Sequence, residues 1–174
     1  MTTTSPAATR HCLAILVTNE PGALARVIGL FSGRGYNIES LAVAEVDSVR
    51  HLSRISIVTT GTEDIVMQIK AQLRRLVPVH RVLDLTTGNG SVIERDLVLT
   101  KVQAEDDAAR TQALAVAKAH GAIPVGSQAR PLVFMLAAAP AAVDLFLAAL
   151  KPLGLTEVSR SGTLGLSSSR ETIA

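Results

Sequence analysis

A chain of 174 residues holds one domain or two small ones. With 48% apolar and 18% charged residues it builds a real core, which excludes an intrinsically disordered protein. The net charge is only +2, no basic stripe is visible, and the aromatic residues are Phe31, Tyr36, Phe134 and Phe146; this excludes a dedicated nucleic-acid binder and a site of stacked bases or sugars. The single cysteine, Cys12, excludes an intrachain disulfide and a multi-cysteine zinc site, and it points to a reducing, cytoplasmic compartment. A mean hydropathy of +0.35 is high for a small soluble monomer and puts some apolar surface in an interface with another chain.

Residues 1–9 are Thr, Ser, Ala and Pro rich, without a basic stretch followed by an apolar one. They read as a flexible tail rather than a secretory signal. Residues 12–18 form an apolar, strand-like run, and Cys12 within it reads as a small core residue. The turn Asn19-Glu20-Pro21-Gly22 follows. Residues 23–33 then carry Leu24, Val27, Ile28 and Phe31 on one helical face, and Gly33 and Gly35 stop the helix. Residues 36–47 and 53–60 read as strands joined by a polar hairpin. Thr62 caps a second helix with Glu63 and Asp64 in its first turn and Ile65, Ile69, Leu73 and Leu76 as its core stripe. Residues 78–86 form a last strand. The order β-α-β-β-α-β is the split, ferredoxin-like plan, with both helices on one face of an antiparallel sheet. The other face is left for solvent or a partner.

Gly88-Asn89-Gly90-Ser91 is a flexible break and the expected domain boundary. The plan then returns: a strand at 95–103, an Ala-rich helix at 106–119 ending near Gly121, strands at 122–128 and 131–138, a helix at 141–151 and a strand at 155–160. Residues 132–150 approach membrane-spanning length with Asp144 as their sole charge. Pro140 and the spacing of Val143, Phe146, Leu147 and Leu150 read instead as a buried strand, a turn and an amphipathic helix. The expected division is therefore 10–86 and 92–166, two tandem domains of an α/β (α+β) fold, with 1–9 and 167–174 as tails.

The first strand-to-helix turn differs between the halves. In the first it is Asn-Glu-Pro-Gly; in the second, Ala104-Glu105-Asp106-Asp107. Free N–H groups and the positive end of a helix dipole attract a carboxylate to the first turn, while adjacent carboxylates repel one from the second. Asn19 adds an amide that donates and accepts. An amino acid needs such a mixed site with an apolar wall, although the same tetrapeptide also fits an ordinary strand-to-helix turn. Gly35-Tyr36-Asn37-Ile38 supplies a second amide and apolar surface at the opposite end of the helix. One subunit does not readily join these patches, and two packed side by side do; alternatively Asn37 only caps the strand locally. No catalytic constellation is evident. His11, His51, His80 and His120 are scattered without metal-ligand spacing, and there is no nucleophile elbow, Walker loop or acid–base pair.

The run Asn19-Glu-Pro-Gly-Ala-Leu-Ala-Arg-Val-Ile-Gly-Leu-Phe-Ser-Gly-Arg-Gly-Tyr-Asn-Ile-Glu-Ser-Leu41 strongly resembles the small, regulatory subunits of acetolactate synthase, also called acetohydroxyacid synthase. The resemblance continues through Ser53-Arg54-Ile55-Ser56-Ile57. It returns at Glu94-Arg95-Asp96-Leu97, Lys101-Val102-Gln103 and Arg160-Ser161-Gly162. It implies that residues 10–86 are an ACT domain that dimerises side by side and binds a branched-chain amino acid, usually valine, at the dimer interface. Carried over by position, Asn19, Pro21, Gly22, Ala23 and Leu24 come from the turn of one subunit, and Asn37 and Ile38 from the other. It further implies a non-catalytic subunit that activates the catalytic large subunit, a transferase, and transmits feedback inhibition to it. Thiamine diphosphate, magnesium and FAD are then expected in that partner and no cofactor in this chain, with no nucleic-acid or membrane partner. The alternative is a free-standing ACT-type amino-acid sensor with a different partner.

Overall fold

The computed structural model describes residues 7–87, 91–126, 131–170 and 172–173. The chain divides into two compact units: the residues up to Ile93 together with those from Leu164 on, and Glu94–Thr163. Gly88, Asn89 and Gly90 of the expected break, and Ser127 and Gln128 of the expected strand at 122–128, lie outside the described residues.

In the first unit the elements run β1 (Thr9–Thr18), α1 (Ala23–Gly33), β2 (Ser40–Asp47), β3 (Leu52–Gly61), α2 (Glu63–Leu73) and β4 (Val79–Asp84). The sheet is antiparallel with strand order β2-β3-β1-β4, so the first and last strands pair beside each other while β2 forms an edge. Alternation fixes which side each residue serves. Leu13, Ile15, Val17, Ile55 and Ile57 face the helices and pack with Ala23, Val27 and Phe31 of α1 and with Val66, Ile69 and Leu73 of α2. The stripe on α2 differs from expectation at its first position: Val66 is buried and Ile65 is 37% exposed. Both residues lie about one turn from Ile69, so spacing alone does not choose between them; the roll of the helix on the sheet does. Thr62 caps α2 as expected, accepting from the Ile65 N–H at 3.4 Å.

The second unit repeats the plan: β5 (Val92–Val102), whose first residues belong to the first unit, α3 (Asp107–His120), β6 (Ile123–Pro124), β7 (Leu132–Ala138), α4 (Pro140–Leu150), a short 3-10 turn (Lys151–Leu153) and β8 (Leu155–Arg160), in the order β6-β7-β5-β8. Val98, Val102, Phe134 and Leu136 of its sheet pack against Ala113 and Ala117 of α3 and against Val143, Phe146 and Leu150 of α4. Pro140 opens α4, and Gly121, at φ +74°, ends α3. β6 is only a two-residue ladder against β7, shorter than expected, and Pro124 within it lacks an N–H to extend the pairing. Residues 132–150 are thus a strand and a helix, and among the described residues no helix is long and apolar enough to cross a membrane.

The C-terminal residues do more than the sequence suggests. Residues 167–174 were expected as a tail, yet Leu164–Ser167 form β9, the Ser168 N–H donates to the Ser91 carbonyl at 2.9 Å, and Ile173 is buried. In the first unit the sheet face away from the helices carries Cys12, Ala14, Leu16, Val58 and Leu85, and Ile173 joins that cluster. The chain itself covers part of the face expected to meet solvent or a partner. The alternation in β9 explains why hydropathy did not reveal this. Leu164 and Leu166 point outward, and Gly165 is the inward residue, set against Cys12.

A Cβ on Gly165 would lie 2.6 Å from Cys12 Sγ and 3.0 Å from Leu85 Cδ1. Gly165→Ala is therefore expected to cost about 1–3 kcal/mol, as overpacking does. Urea denaturation checks this, and Cys12→Ala in the same chain should restore most of the loss. An unchanged midpoint in Gly165→Ala would show that β9 does not press on the sheet.

Candidate functional site

The turn after β1 is held by the backbone. Thr18 N–H donates to the Pro78 carbonyl at 2.8 Å, and Asn19 N–H to the His51 carbonyl at 2.6 Å. Gly22 caps α1 at φ +85°, a conformation L side chains rarely adopt, and offers no side-chain acceptor to the helix. Ala23 N–H bonds the Glu20 carbonyl at 3.2 Å and Arg26 N–H the Gly22 carbonyl at 3.0 Å. The N–H groups of Leu24 and Ala25 find no acceptor among the described residues. The N-terminus of α1 is therefore open, with donors and the positive dipole end available to an anion.

The equivalent end in the second unit is closed. Asp106 caps α3, its carboxylate accepting from the Ala109 N–H at 2.6 Å, and Asp107 adds negative charge in the first turn. The contrast between the two turns expected from sequence is a contrast in occupancy: one helix start is filled by the chain's own carboxylate and the other is left unfilled.

The remaining residues expected at the site divide into two groups. Pro21 is exposed, the Ala23 side chain is buried in the core, and Leu24 is half-buried against that core. Ala23 therefore contributes backbone rather than a side chain to the turn. Asn37 and Ile38 lie beyond the C-terminus of α1. The Asn37 carbonyl accepts from Thr59 Oγ1 at 2.6 Å, its side chain is exposed, and Ile38 packs on the core. Thr18 pairs with Leu52, whereas Asn37 meets Thr59, so within one subunit the two groups stand about 23 Å apart along β3.

One residue at the turn was not found from sequence. Glu45, on β2, accepts from Asn19 Nδ2 at 3.1 Å, which brings a carboxylate beside the open helix start. Nothing local in the sequence signals this. It follows from the register, because β1 and β2 flank β3 and both end opposite Leu52. Glu20 is paired with Arg26 at 2.7 Å. The turn thus offers N–H donors for a carboxylate and, through Glu45 and the Asn19 oxygen, acceptors for an ammonium group. The edge strand beside it leaves Val43 and Val46 exposed, at 43% and 53%.

The histidines make separate, structural contacts. His11 is buried, its Nδ1 3.0 Å from Asp84 Oδ2, and His80 meets Thr18 Oγ1 at 2.8 Å. Cys12 forms no disulfide and is fully buried. Among the described residues no group of three or more His, Cys, Asp or Glu side chains is placed to hold a metal ion.

Comparison with known proteins agrees with this architecture. Residues 13–81 match the family described as AHAS small subunit-like ACT domain, and residues 95–169 match that described as small subunit of acetolactate synthase. The small subunit of acetolactate synthase isozyme 3 from Escherichia coli is 42% identical over 163 residues, covering 91% of this chain and 95% of the relative. That of Mycolicibacterium smegmatis is 34% identical over 157 residues, covering 90% of each. The crystal structure of the acetolactate synthase small subunit from Thermotoga maritima superposes with a TM-score of 0.83 at 26% identity, covering 94% of this chain and 99% of that one. With a tandem ferredoxin-like fold, an ACT unit whose first helix start is open, and relatives matched over nearly their full length, the chain belongs to the acetolactate synthase small-subunit family.

Proposed function

We propose that this chain binds valine between two ACT units, activates the catalytic large subunit of an acetolactate synthase and transmits valine inhibition to it. The observation that carries the reading is the open start of α1 at Gly22, set against the start of α3, which Asp106 closes. The amino-acid carboxylate takes the Leu24 and Ala25 N–H groups. Asn19 and Glu45 receive the ammonium group. Asn37 and Ile38 of a second copy complete the pocket, which accounts for their distance from the turn within one chain. The exposed valines of the β2 edge suit side-by-side pairing of two sheets. The reaction condenses two pyruvates, or pyruvate with 2-oxobutyrate, and its thiamine diphosphate, magnesium and FAD reside in the large subunit.

Regulation then follows from linkage. Valine must bind one arrangement of the complex better than the other, and the large subunit must change valine affinity by the same factor. The test is acetolactate production by the cognate large subunit with and without this chain, across a valine titration. Stimulation that valine reverses is the expected result, and absence of stimulation would favour a free-standing amino-acid sensor. Two variants locate the site. Asn37→Ala is expected to weaken valine binding with the fold intact. Ala25→Asp adds negative charge to the first turn of α1, which favours the helix by about 0.3–1 kcal/mol. The same charge opposes a bound carboxylate, so valine affinity should fall about tenfold or more. Unchanged affinity in both variants would refute the assigned site.

A further inference from the structure

Arg54 is a cation of the first sheet that pairs with no carboxylate among the described residues. It lies on β3, on the sheet face away from the helices, and is half-buried. One of its guanidinium nitrogens, Nη2, donates to the Gly165 carbonyl of β9. Among the described residues no carboxylate is recorded as its partner. Burial lowers its pKa below the usual arginine value, and the nearby Cys12 offsets that only in part.

A cavity of about 280 Å³ lies beside this guanidinium, under the C-terminal segment and within the first unit. Leu83, Leu85, Leu166 and Ile173 give it apolar walls, and Ser167, Ser169 and Thr172 bring hydroxyl groups. Leu166 and Thr172 are exposed, so the cavity communicates with solvent. That is room for a small organic ligand.

We propose that this cavity is a second ligand site, taking a short branched monocarboxylate that bears an oxo or hydroxyl group, with Arg54 holding the carboxylate. The guanidinium keeps N–H donors beyond the one spent on Gly165, in a geometry suited to a carboxylate. The aliphatic walls take the branched chain, and the hydroxyls meet the oxygen substituent. Among the described lining residues there is no acidic side chain to receive an ammonium group, which selects against amino acids. This site is therefore distinct in chemistry from the turn at Gly22, and it does not depend on valine binding there.

The test is a titration of the isotopically labelled full chain with 3-methyl-2-oxobutanoate, read by backbone amide NMR. The expected result is saturable shifts at Ser167, Ser169 and Ile173 that persist in saturating valine. Arg54→Gln should weaken binding about tenfold or more, as loss of a charge-assisted contact does, with Arg54→Lys intermediate. The neutral 3-methyl-2-oxobutanamide should shift nothing in the wild-type chain, a control that holds even if Arg54→Gln fails to fold. Absence of saturation in the wild type overturns the proposal, as do shifts confined to residues 19–25.

Discussion

Phe31→Ala is expected to remove about 3–5 kcal/mol from the stability of the first unit. Phe31 is fully buried on α1, packed with Val27, Ile55, Ile57 and Leu73 in one cluster. Tyr36 stands edge-on to it, with ring centroids 6.2 Å apart and planes at 81°. Truncation leaves a ring-sized void and strips Tyr36 of its aromatic partner, and the close-packed surroundings relax only in part. Against a typical total of about 5–15 kcal/mol, that loss places the ACT unit near its unfolding threshold. The measurement is the urea midpoint, followed by far-UV circular dichroism. Phe31→Leu should recover most of the loss, because it refills much of the void. A loss below about 1 kcal/mol for Phe31→Ala would mean that the site collapses freely around the smaller side chain and that Phe31 is not the keystone of this core.

Arg160→Met should destabilise the second unit by a similar amount, about 3–5 kcal/mol, for an electrostatic reason. Asp96 is buried, with its side chain 1% exposed. Its Oδ2 takes Arg160 Nε and Nη2, each at 2.5 Å, and its Oδ1 has no hydrogen-bond partner among the described residues. Arg160 also reaches Asp144 Oδ1 at 2.8 Å and the Pro140 carbonyl, tying β8 to the start of α4. Burial opposes the charge of Arg160, but its hydrogen bonds to Asp96 and Asp144 outweigh that and raise its pKa above the usual arginine value. A base with a raised folded pKa contributes fully below its unfolded value and loses that contribution only as pH rises through the folded one. The contribution of the arginine's charge is therefore constant across neutral pH and falls away in strong alkali. Removing the guanidinium strands a carboxylate inside the unit. Adding Asp96→Leu to Arg160→Met should recover most of the stability, since an apolar pair asks for no counter-charge. A double variant no more stable than Arg160→Met alone would show that packing by the arginine stem, and not the ion pair, is what matters.

The element order was legible because each local signal agreed with the others. Period-2 runs, an N-cap threonine before Glu63, a first-turn proline at 140 and a glycine after His120 each fix a boundary by backbone chemistry that acts within a few residues. The distinctive turns were legible for the same reason, because Gly22 and Asp106 act on the N–H groups of their own helices. Where a choice depended on what the element packs against, sequence was silent. Ile65 and Val66 are equally apolar, and only the roll of α2 buries the second.

Sequence by itself thus determined the doubled β-α-β-β-α-β plan, its caps and the asymmetry between the two helix starts, since these depend on neighbours along the chain. The tertiary structure alone decided the rest. Strand register carried Glu45 to Asn19 across β3. A return of the chain over the first sheet turned a polar-looking segment into a cover, with glycine rather than leucine as its inward residue. The same return put Arg54 beside a cavity. These are contacts between residues far apart in sequence, and no local propensity or periodicity encodes which distant surface a segment will meet.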